Sequence, residues 1–209
     1  LVTDLSPSPA AVALIQAAGT LPSFLFAIPA GVLTDILDRR KFLIAVQVML
    51  ASISLTMGVL AYVGAVSVWT LTLLTFLGGT GAALMLPTWQ AIVPELVPPE
   101  DLKSAVALNS LGINIARSLG PALGGLTLAL AGASLTYGMD VLSYLCVIAA
   151  LLWWKRPKDE ASALREHFGG AMRAGLRYVA ASPEIHRILW RTVVFFAFGS
   201  AVWALMPIV

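Results

Sequence analysis

The sequence predicts an all-α protein that crosses a membrane several times, because it combines long apolar runs with few charges. Of its 209 residues, 59% are hydrophobic and only 11% are charged. A soluble domain carries about 25% charged residues and needs polar side chains over much of its surface. Lipid therefore has to surround much of this chain. The apolar runs are hydrophobic on every face, whereas strands of a membrane barrel alternate apolar with polar residues, so the runs are predicted to be helices.

Several segments are long enough to span a bilayer, which takes about 20 mostly apolar residues. The six predicted spans cover residues 9–33, 42–63, 68–93, 104–130, 135–154 and 188–209. Prolines inside them predict bent helices, and these are Pro22, Pro29, Pro87 and Pro121. The predicted parts are an N-terminal bundle over 1–154, a cytoplasmic connection over 155–187 and the first helix of a second bundle over 188–209.

Lysine and arginine are distributed unevenly along the chain. All but one of the thirteen basic residues fall in 39–41, at Lys103 or in 155–191. The two alternate connections, 64–67 and 131–134, have none. By the positive-inside rule, the basic connections lie in the cytoplasm. The formal net charge of +2 is too small to indicate a nucleic acid partner.

The long connection over 155–187 has a helical pattern of its own. Apolar residues recur there at helical spacing, namely Leu164, Phe168, Met172, Leu176 and Val179. The pattern predicts an amphipathic helix that either lies on the membrane surface or bridges two bundles as a solvated linker.

The first basic connection carries a charged motif. Gly31 can let a neighbouring helix approach closely, and Asp35 follows it at the end of the first span. An anion at a helix C-terminus is unfavourable, so Asp35 requires a partner such as a nearby arginine or the N-terminus of another helix. Either this contact is made in one conformation and broken in another, or the charged residues only anchor the topology.

The fourth predicted span carries a polar stripe. Its members are Ser110, Asn114, Arg117, Pro121 and Gly124. Arg117 lies roughly 20 Å from the cytoplasmic start of the span at a rise of about 1.5 Å per residue. An arginine at that depth costs at least about 2.5–3.5 kcal/mol unless it faces a cavity or a partner. Arg117 and Asn114 therefore line a cavity or a hinge, or else Arg117 pairs structurally with carbonyls or a carboxylate.

Other sequence features bear on chemistry. Gly120, Pro121, Gly124 and Gly125 favour close helix packing and a bent segment. Asp140, near the start of the fifth span, is either an interfacial carboxylate or a proton site. The sequence has no HExxH, GxSxG, P-loop or dinucleotide-binding pattern. We therefore expect no enzyme activity, no cofactor, no metal site and no ATP-driven pumping.

Two of these motifs resemble signatures of the major facilitator superfamily. The loop between helices 2 and 3 of that superfamily has a glycine, a leucine, an aspartate and then basic residues, which Gly31, Leu33, Asp35, Arg39 and Arg40 match. Ile36 and Asp38 replace a usual arginine and a usual glycine. The run from Gly120 to Gly125 resembles the antiporter motif of helix 5, with Ala107 and Ala116 in place of its upstream glycines.

Residues 86–110 and 138–144 are similar to the enterobactin-exporter-like and macrolide-efflux-like branch of this superfamily. Thr75 stands near a position where many proton-coupled exporters carry an arginine. The resemblance implies an incomplete bundle, with helices 2–7 of a twelve-helix protein. The chain begins at Leu1 rather than at a methionine, and we expect it to be a piece of a longer protein.

The resemblance also implies a function. We expect a monomeric secondary transporter in the bacterial inner membrane that exports a small amphipathic solute, such as a siderophore or drug, by alternating access. Protons or another ion would drive it, and Gly31, Asp35, Asp38, Arg39 and Arg40 would form its cytoplasmic gate. The alternatives are a membrane sensor that transports nothing and a facilitator that imports a small metabolite.

Overall fold

A computed structural model describes residues 9–154 together with 177–178, 181–188, 190–192 and 194–195. The chain divides into two units, 1–164 and 165–209. The side chains of Pro9 and Asp35 are outside the description.

The described part of the first unit consists of helices joined by short connections, as the sequence predicts. Four long helices form it: α1 (Pro9–Ile36), α2 (Arg39–Val63), α3 (Val68–Ile92) and α4 (Leu102–Trp153). Two short 3-10 segments, Val93–Glu95 and Pro99–Asp101, connect α3 to α4. Each long helix is long and apolar enough to cross a membrane. The four prolines predicted to lie inside spans do so, two in α1 and one each in α3 and α4.

Helix α4 contains both the fourth and the fifth predicted spans. A straight helix of 52 residues would be about 78 Å long. Near its start, however, Asn109 bonds Trp89 of α3, and near its end Leu151 packs on Ile92, also of α3. The chain therefore reverses inside α4, and it does so at Gly132, whose φ of 75° and ψ of 172° are not helical. This agrees with the connection predicted at 131–134. We call 102–131 the first arm and 133–153 the second arm.

The positive φ values fall where the chain has to turn. Gly132 reverses α4, and Gly64, with φ 72°, ends α2 in the left-handed conformation. Glycine reaches this region without the penalty that a Cβ brings.

Side chains cap the N-terminal ends of α2 and α3. Ser67 and Thr70 satisfy each other's backbone N–H groups in a capping box at the start of α3. The Asp38 carboxylate accepts a hydrogen bond from the Lys41 backbone N–H at 3.0 Å and so caps α2.

Helix α3 lies between α1 and α2, and the second arm packs on α2. Helices α1 and α3 run in the same direction, since Gly19 faces Gly79 at one level and Thr34 faces Thr88 at another. The two helices come close together at Gly79, where a Cβ would lie 2.7 Å from the Gly19 carbonyl oxygen and 3.1 Å from Pro22 Cγ.

The close approach expected at Gly31 is not made by the described residues. No described atom lies within 4 Å of the position that a Cβ would take there. At that end of α1, the spacing to α3 is set by a hydrogen bond between the hydroxyls of Thr34 and Thr88. A pair of hydroxyls needs more room than two backbones in contact, so the tight packing lies further along, at Gly79.

A small apolar cluster joins three helices at one end of the bundle. Its buried members are Leu43 of α2, Ile92 of α3 and Leu151 of the second arm. In α2, Leu43 directly follows the basic residues Arg39, Arg40 and Lys41 and Phe42. We therefore call this end of the bundle the basic end.

Only part of the second unit is described. Residues 183–188, 190–192 and 194–195 are helical. The His186 N–H donates to the Ser182 carbonyl at 3.3 Å, so the helix begins at the Ser182–Pro183 step. The amphipathic helix predicted over 164–179 lies outside the described residues except for 177–178, and so does most of the predicted span over 188–209.

We predict that Gly79→Ala destabilises the protein by about 1–3 kcal/mol, because the added methyl group would force α1 and α3 apart. Thermal unfolding of the full-length protein in detergent measures the effect. The neighbouring Gly78→Ala is the matched control, since a Cβ at Gly78 meets no atom within 4 Å. It should leave stability unchanged or raise it by up to about 1 kcal/mol, since alanine favours a helix. Equal effects of the two changes would contradict the close contact.

Candidate functional site

Arg39 joins the ends of two helices at the basic end. Its Nη1 donates to Glu95 Oε1 at 2.8 Å and to the Ala91 carbonyl at 3.2 Å, and its Nε donates to the Thr34 carbonyl at 3.4 Å. The ion pair with Glu95 is partly shielded, with side chains 28% and 18% exposed. Thr34 and Ala91 lie in the last turns of α1 and α3, where carbonyls have no partner within their own helix.

Arg40 does the same for the second arm. Its Nε donates to the Leu151 carbonyl at 2.6 Å, and its Nη2 donates to the Leu152 carbonyl at 2.7 Å. These carbonyls belong to the last turn of α4. A cation at a helix C-terminus also interacts favourably with the helix dipole. Two adjacent arginines at the start of α2 thus bind the C-terminal ends of α1, α3 and α4. We call Arg39, Arg40 and Glu95 the arginine clasp.

A buried pair of threonines lies behind the clasp. Thr34 and Thr88 are 4% and 0% exposed, and their hydroxyl oxygens are 2.9 Å apart. Each hydroxyl also donates within its own helix, Thr34 to the Ala30 carbonyl and Thr88 to the Leu84 carbonyl. Each hydroxyl has one hydrogen to donate. Two hydrogens are therefore shared among three hydrogen bonds, one within each helix and one between the helices.

The gate residues predicted from the sequence have different positions in the structure. Arg39 and Arg40 meet in the clasp, while Asp38 caps α2 through the Lys41 N–H. Asp35 lies in the last turn of α1, and its side chain is outside the description. The sequence-based interpretation missed the cap at Asp38, although an aspartate directly before a helix is a readable signal. It also missed Glu95, whose pairing with Arg39 depends on how α3 packs.

We predict that Arg40→Ala destabilises the full-length protein by about 1–2 kcal/mol, because it leaves the Leu151 and Leu152 carbonyls without their charged donor. The measurement is again thermal unfolding in detergent. Lys41→Ala is the control, since it removes an equal charge from the same turn while the capped Lys41 N–H stays in place. A loss of stability in Lys41→Ala as large as that in Arg40→Ala would mean that charge alone, rather than carbonyl binding, is responsible.

The first arm carries the predicted polar stripe on an exposed surface. Arg117 is exposed and forms no hydrogen bond or ion pair with any residue that the structure describes. The Asn114 amide donates to the Ser110 carbonyl at 2.8 Å, within its own helix. A Cβ at Gly120, Gly124 or Gly125 would meet no described atom within 4 Å. The expected close packing at these glycines is therefore not made by the described helices.

Asp140 lies in the second arm and faces α2. Its Oδ2 accepts a hydrogen bond from the Ser54 hydroxyl at 2.5 Å, and the carboxylate is half-buried. Tyr137 and Tyr144 lie three residues before and four residues after Asp140, on the same helical face. Both tyrosines are near enough to Asp140 to interact with its charge. We call Ser54, Tyr137, Asp140 and Tyr144 the Asp140 cluster.

Acidic, histidine and cysteine side chains do not form a metal-binding group in the described part of the chain. It contains no group of three or more histidine, cysteine, aspartate or glutamate residues that could hold a metal ion. The candidate functional groups among the described residues are therefore the arginine clasp, the polar stripe of the first arm and the Asp140 cluster.

Comparison with known proteins gives a consistent family. A family described as transmembrane secretion effector matches this chain over residues 1–209. The macrolide efflux protein A of Enterococcus faecalis is 24% identical over 193 residues, which are 91% of this chain and 60% of that protein.

Two relatives are named for siderophores. The staphyloferrin A transporter of Staphylococcus aureus is 25% identical over 197 residues, or 90% of this chain and 47% of that protein. The enterobactin exporter of Shigella boydii is 28% identical over 155 residues, or 74% of this chain and 37% of that protein. The chain spans about half the length of the curated relatives that it matches. No solved structure matches it significantly.

Proposed function

Because this chain belongs to the transmembrane secretion effector family of the major facilitator superfamily, we propose that the whole protein exports a small amphipathic solute across the bacterial inner membrane. Proteins of this superfamily are multi-pass membrane transporters rather than enzymes. The direction of transport rests on relatives named for efflux and export. The solute class, a macrolide-like or siderophore-like molecule, rests on the same names.

The observation that carries the proposal is the position of Arg117. It lies about 22 Å along the first arm from Leu102, at a rise of about 1.5 Å per residue. It is exposed there, and none of the described residues compensates its charge. Facing lipid, it would cost at least about 2.5–3.5 kcal/mol. A water-filled pathway, or the remaining half of a longer protein, removes that cost, and Arg117 with Asn114 then lines the solute path.

The glycine-rich segment after Arg117 fits this arrangement. Gly120, Pro121, Gly124 and Gly125 leave the surface of the first arm open, and Pro121 removes one helical hydrogen bond. This segment is proposed to bend or to receive a helix from the other half during transport.

Alternating access requires the cytoplasmic end to open and close. We assign this gate to Gly31, Asp35, Asp38, Arg39 and Arg40. Hydrogen bonds from the arginine clasp to helix ends can be exchanged for other partners without disturbing the apolar spans. A ligand or coupling ion that favours one arrangement shifts the equilibrium between the two.

A transport assay tests the proposed function. The full-length protein in inside-out vesicles is given radiolabelled macrolide, enterobactin or staphyloferrin A, with the vesicle interior made acidic. At least one solute should accumulate inside the vesicles and dissipate the pH gradient. Vesicles without the protein are the control. Accumulation of none of the three, with the gradient unchanged, would contradict export and favour a membrane sensor.

We predict that Arg117→Ala lowers the initial rate of uptake into these vesicles by at least about tenfold, since a hydrogen bond to a charged group is worth about 1.5–3 kcal/mol. Arg117→Lys should recover part of the rate, because it restores the charge without the planar guanidinium. Lys103→Ala, which removes an exposed cation near the start of the same arm, should leave the rate unchanged. Unchanged uptake by Arg117→Ala at normal protein levels would remove Arg117 from the pathway.

The gate assignment predicts a charge-reversal effect. Arg39→Glu places a second carboxylate beside Glu95 and should lower the uptake rate. The double change Arg39→Glu with Glu95→Arg should recover only part of it, because glutamate cannot donate to the Thr34 and Ala91 carbonyls. If the double variant is no better than the single one, the Arg39–Glu95 pair does not act in the gate.

A further inference from the structure

Asp140 is the one carboxylate in the interior of the membrane-spanning helices that the structure describes. It lies about 20 Å along the second arm from Trp153 and about 12 Å from the turn at Gly132, at a rise of about 1.5 Å per residue. The other acidic residues of the four described spans lie at their ends. The side chain is therefore several helical turns away from the charges of the basic end.

Among the described residues, the hydrogen-bond donor to Asp140 is neutral, and the charged residues of the first arm, Lys103 and Arg117, form no ion pair with it. Ser54, which is 7% exposed, donates to Oδ2 from α2. Tyr137 and Tyr144 are the titratable groups near it on its own helix. The elements packed on α4 carry their charged groups at the basic end, namely Arg39, Arg40 and Lys41 on α2 and Glu95, Glu100 and Asp101 on the 3-10 segments. Arg40 is about 21 Å from Ser54 along α2.

An ionised carboxylate in this position is expensive. Burying a charge without an opposite charge costs far more than burying a neutral polar group. Neutral hydroxyl donors offset only part of that cost. A bound proton removes the charge, and the Ser54 hydroxyl can still donate to Oδ2 while Oδ1 carries the proton.

We propose that Asp140, held by Ser54 against α2, is a protonation site inside the membrane. The carboxylate takes one proton to become a neutral carboxyl group and releases it again, and no other bond is made or broken. A hydrogen bond to a charged acceptor is about twice as strong as one to a neutral acceptor. Release of the proton thus tightens the contact between α2 and the second arm, and uptake loosens it.

This inference rests on the proposed function in one respect, since it identifies Asp140 as the group that couples proton movement to export. The loosening of one helix pair on protonation gives the proton an effect on conformation, which coupling requires. Protonation itself can be measured without any solute, so the two ideas can fail separately.

The first experiment detects the proton directly. Infrared difference spectra are recorded for the full-length protein in lipid nanodiscs between about pH 4 and about pH 9, a range that covers the ordinary and perturbed titration of carboxyl groups. The wild-type protein should show a protonated-carboxyl band that Asp140→Asn lacks. Asp101→Asn, which removes an exposed carboxylate of the 3-10 segment before α4, should retain that band. An identical band in Asp140→Asn would overturn the proposal.

Two further variants separate protonation from a merely structural role. Ser54→Ala should shift the frequency of the band, because the hydrogen bond to Oδ2 is lost, whereas Ser52→Ala should not, since its hydroxyl bonds the Val48 carbonyl on the exposed side of α2. If Asp140→Asn does not fold, Asp140→Glu keeps the carboxyl group and should move the band rather than abolish it. A band unchanged in both Ser54→Ala and Asp140→Glu would overturn the assignment.

The second experiment tests coupling in inside-out vesicles with the same three radiolabelled solutes. Asp140→Asn should lose accumulation driven by the pH gradient but keep exchange of labelled for unlabelled solute at equal pH. Gradient-driven accumulation equal to that of the wild type would overturn coupling through Asp140. Wild-type protein that moves none of the solutes would instead contradict the proposed function, and the infrared result would still decide protonation.

Discussion

Two neighbouring guanidinium groups are the constraint on which the described bundle depends. A helix leaves its last four carbonyls without partners, and three helical segments end at the basic end. A cation bound at these carbonyls satisfies them within the protein and also interacts favourably with the helix dipole. Arg39 serves the ends of α1 and α3, and Arg40 serves the end of the second arm. The same two residues belong to the basic connection that the positive-inside rule predicts to lie in the cytoplasm.

This arrangement explains why the packing away from the basic end can be loose. Apolar side chains gain little by leaving lipid for each other, so helix association in membranes relies on close contacts and polar bonds. The buried apolar cluster is correspondingly small, with Leu43, Ile92 and Leu151 as its buried members. Contacts between backbones at Gly79 and the Thr34–Thr88 hydrogen bond then set the spacing of α1 and α3. Specific polar and glycine contacts, rather than a large core, fix the described helices.

The sequence predicted the helices well, because the features that indicate a membrane-spanning helix, a long apolar run with few charges, can be read within a single segment. The reversal at Gly132 follows from the same local pattern and agrees with the connection at 131–134. Contacts between helices could not be read in this way. Gly31 and Gly79 look alike along the chain, and only the packing of α1 on α3 puts Gly79 against a backbone. The partners of Arg39 and Asp140, Glu95 and Ser54, are likewise distant in sequence.

The two charged residues inside the described spans, Arg117 and Asp140, show what the structure adds to the sequence. Arg117 lies about 22 Å and Asp140 about 12 Å from the turn at Gly132 along their arms, so both lie within the apolar spans. By sequence, Arg117 was either functional or structurally paired, and Asp140 was either an interfacial carboxylate or a proton site. The structure separates them, since Asp140 turns inward to Ser54 while Arg117 remains exposed with none of the described residues to compensate it. A charge held by neutral donors is suited to gaining and losing a proton, whereas an exposed cation is suited to meeting a solute or another part of the protein. We therefore propose the carboxylate for coupling and the arginine for recognition.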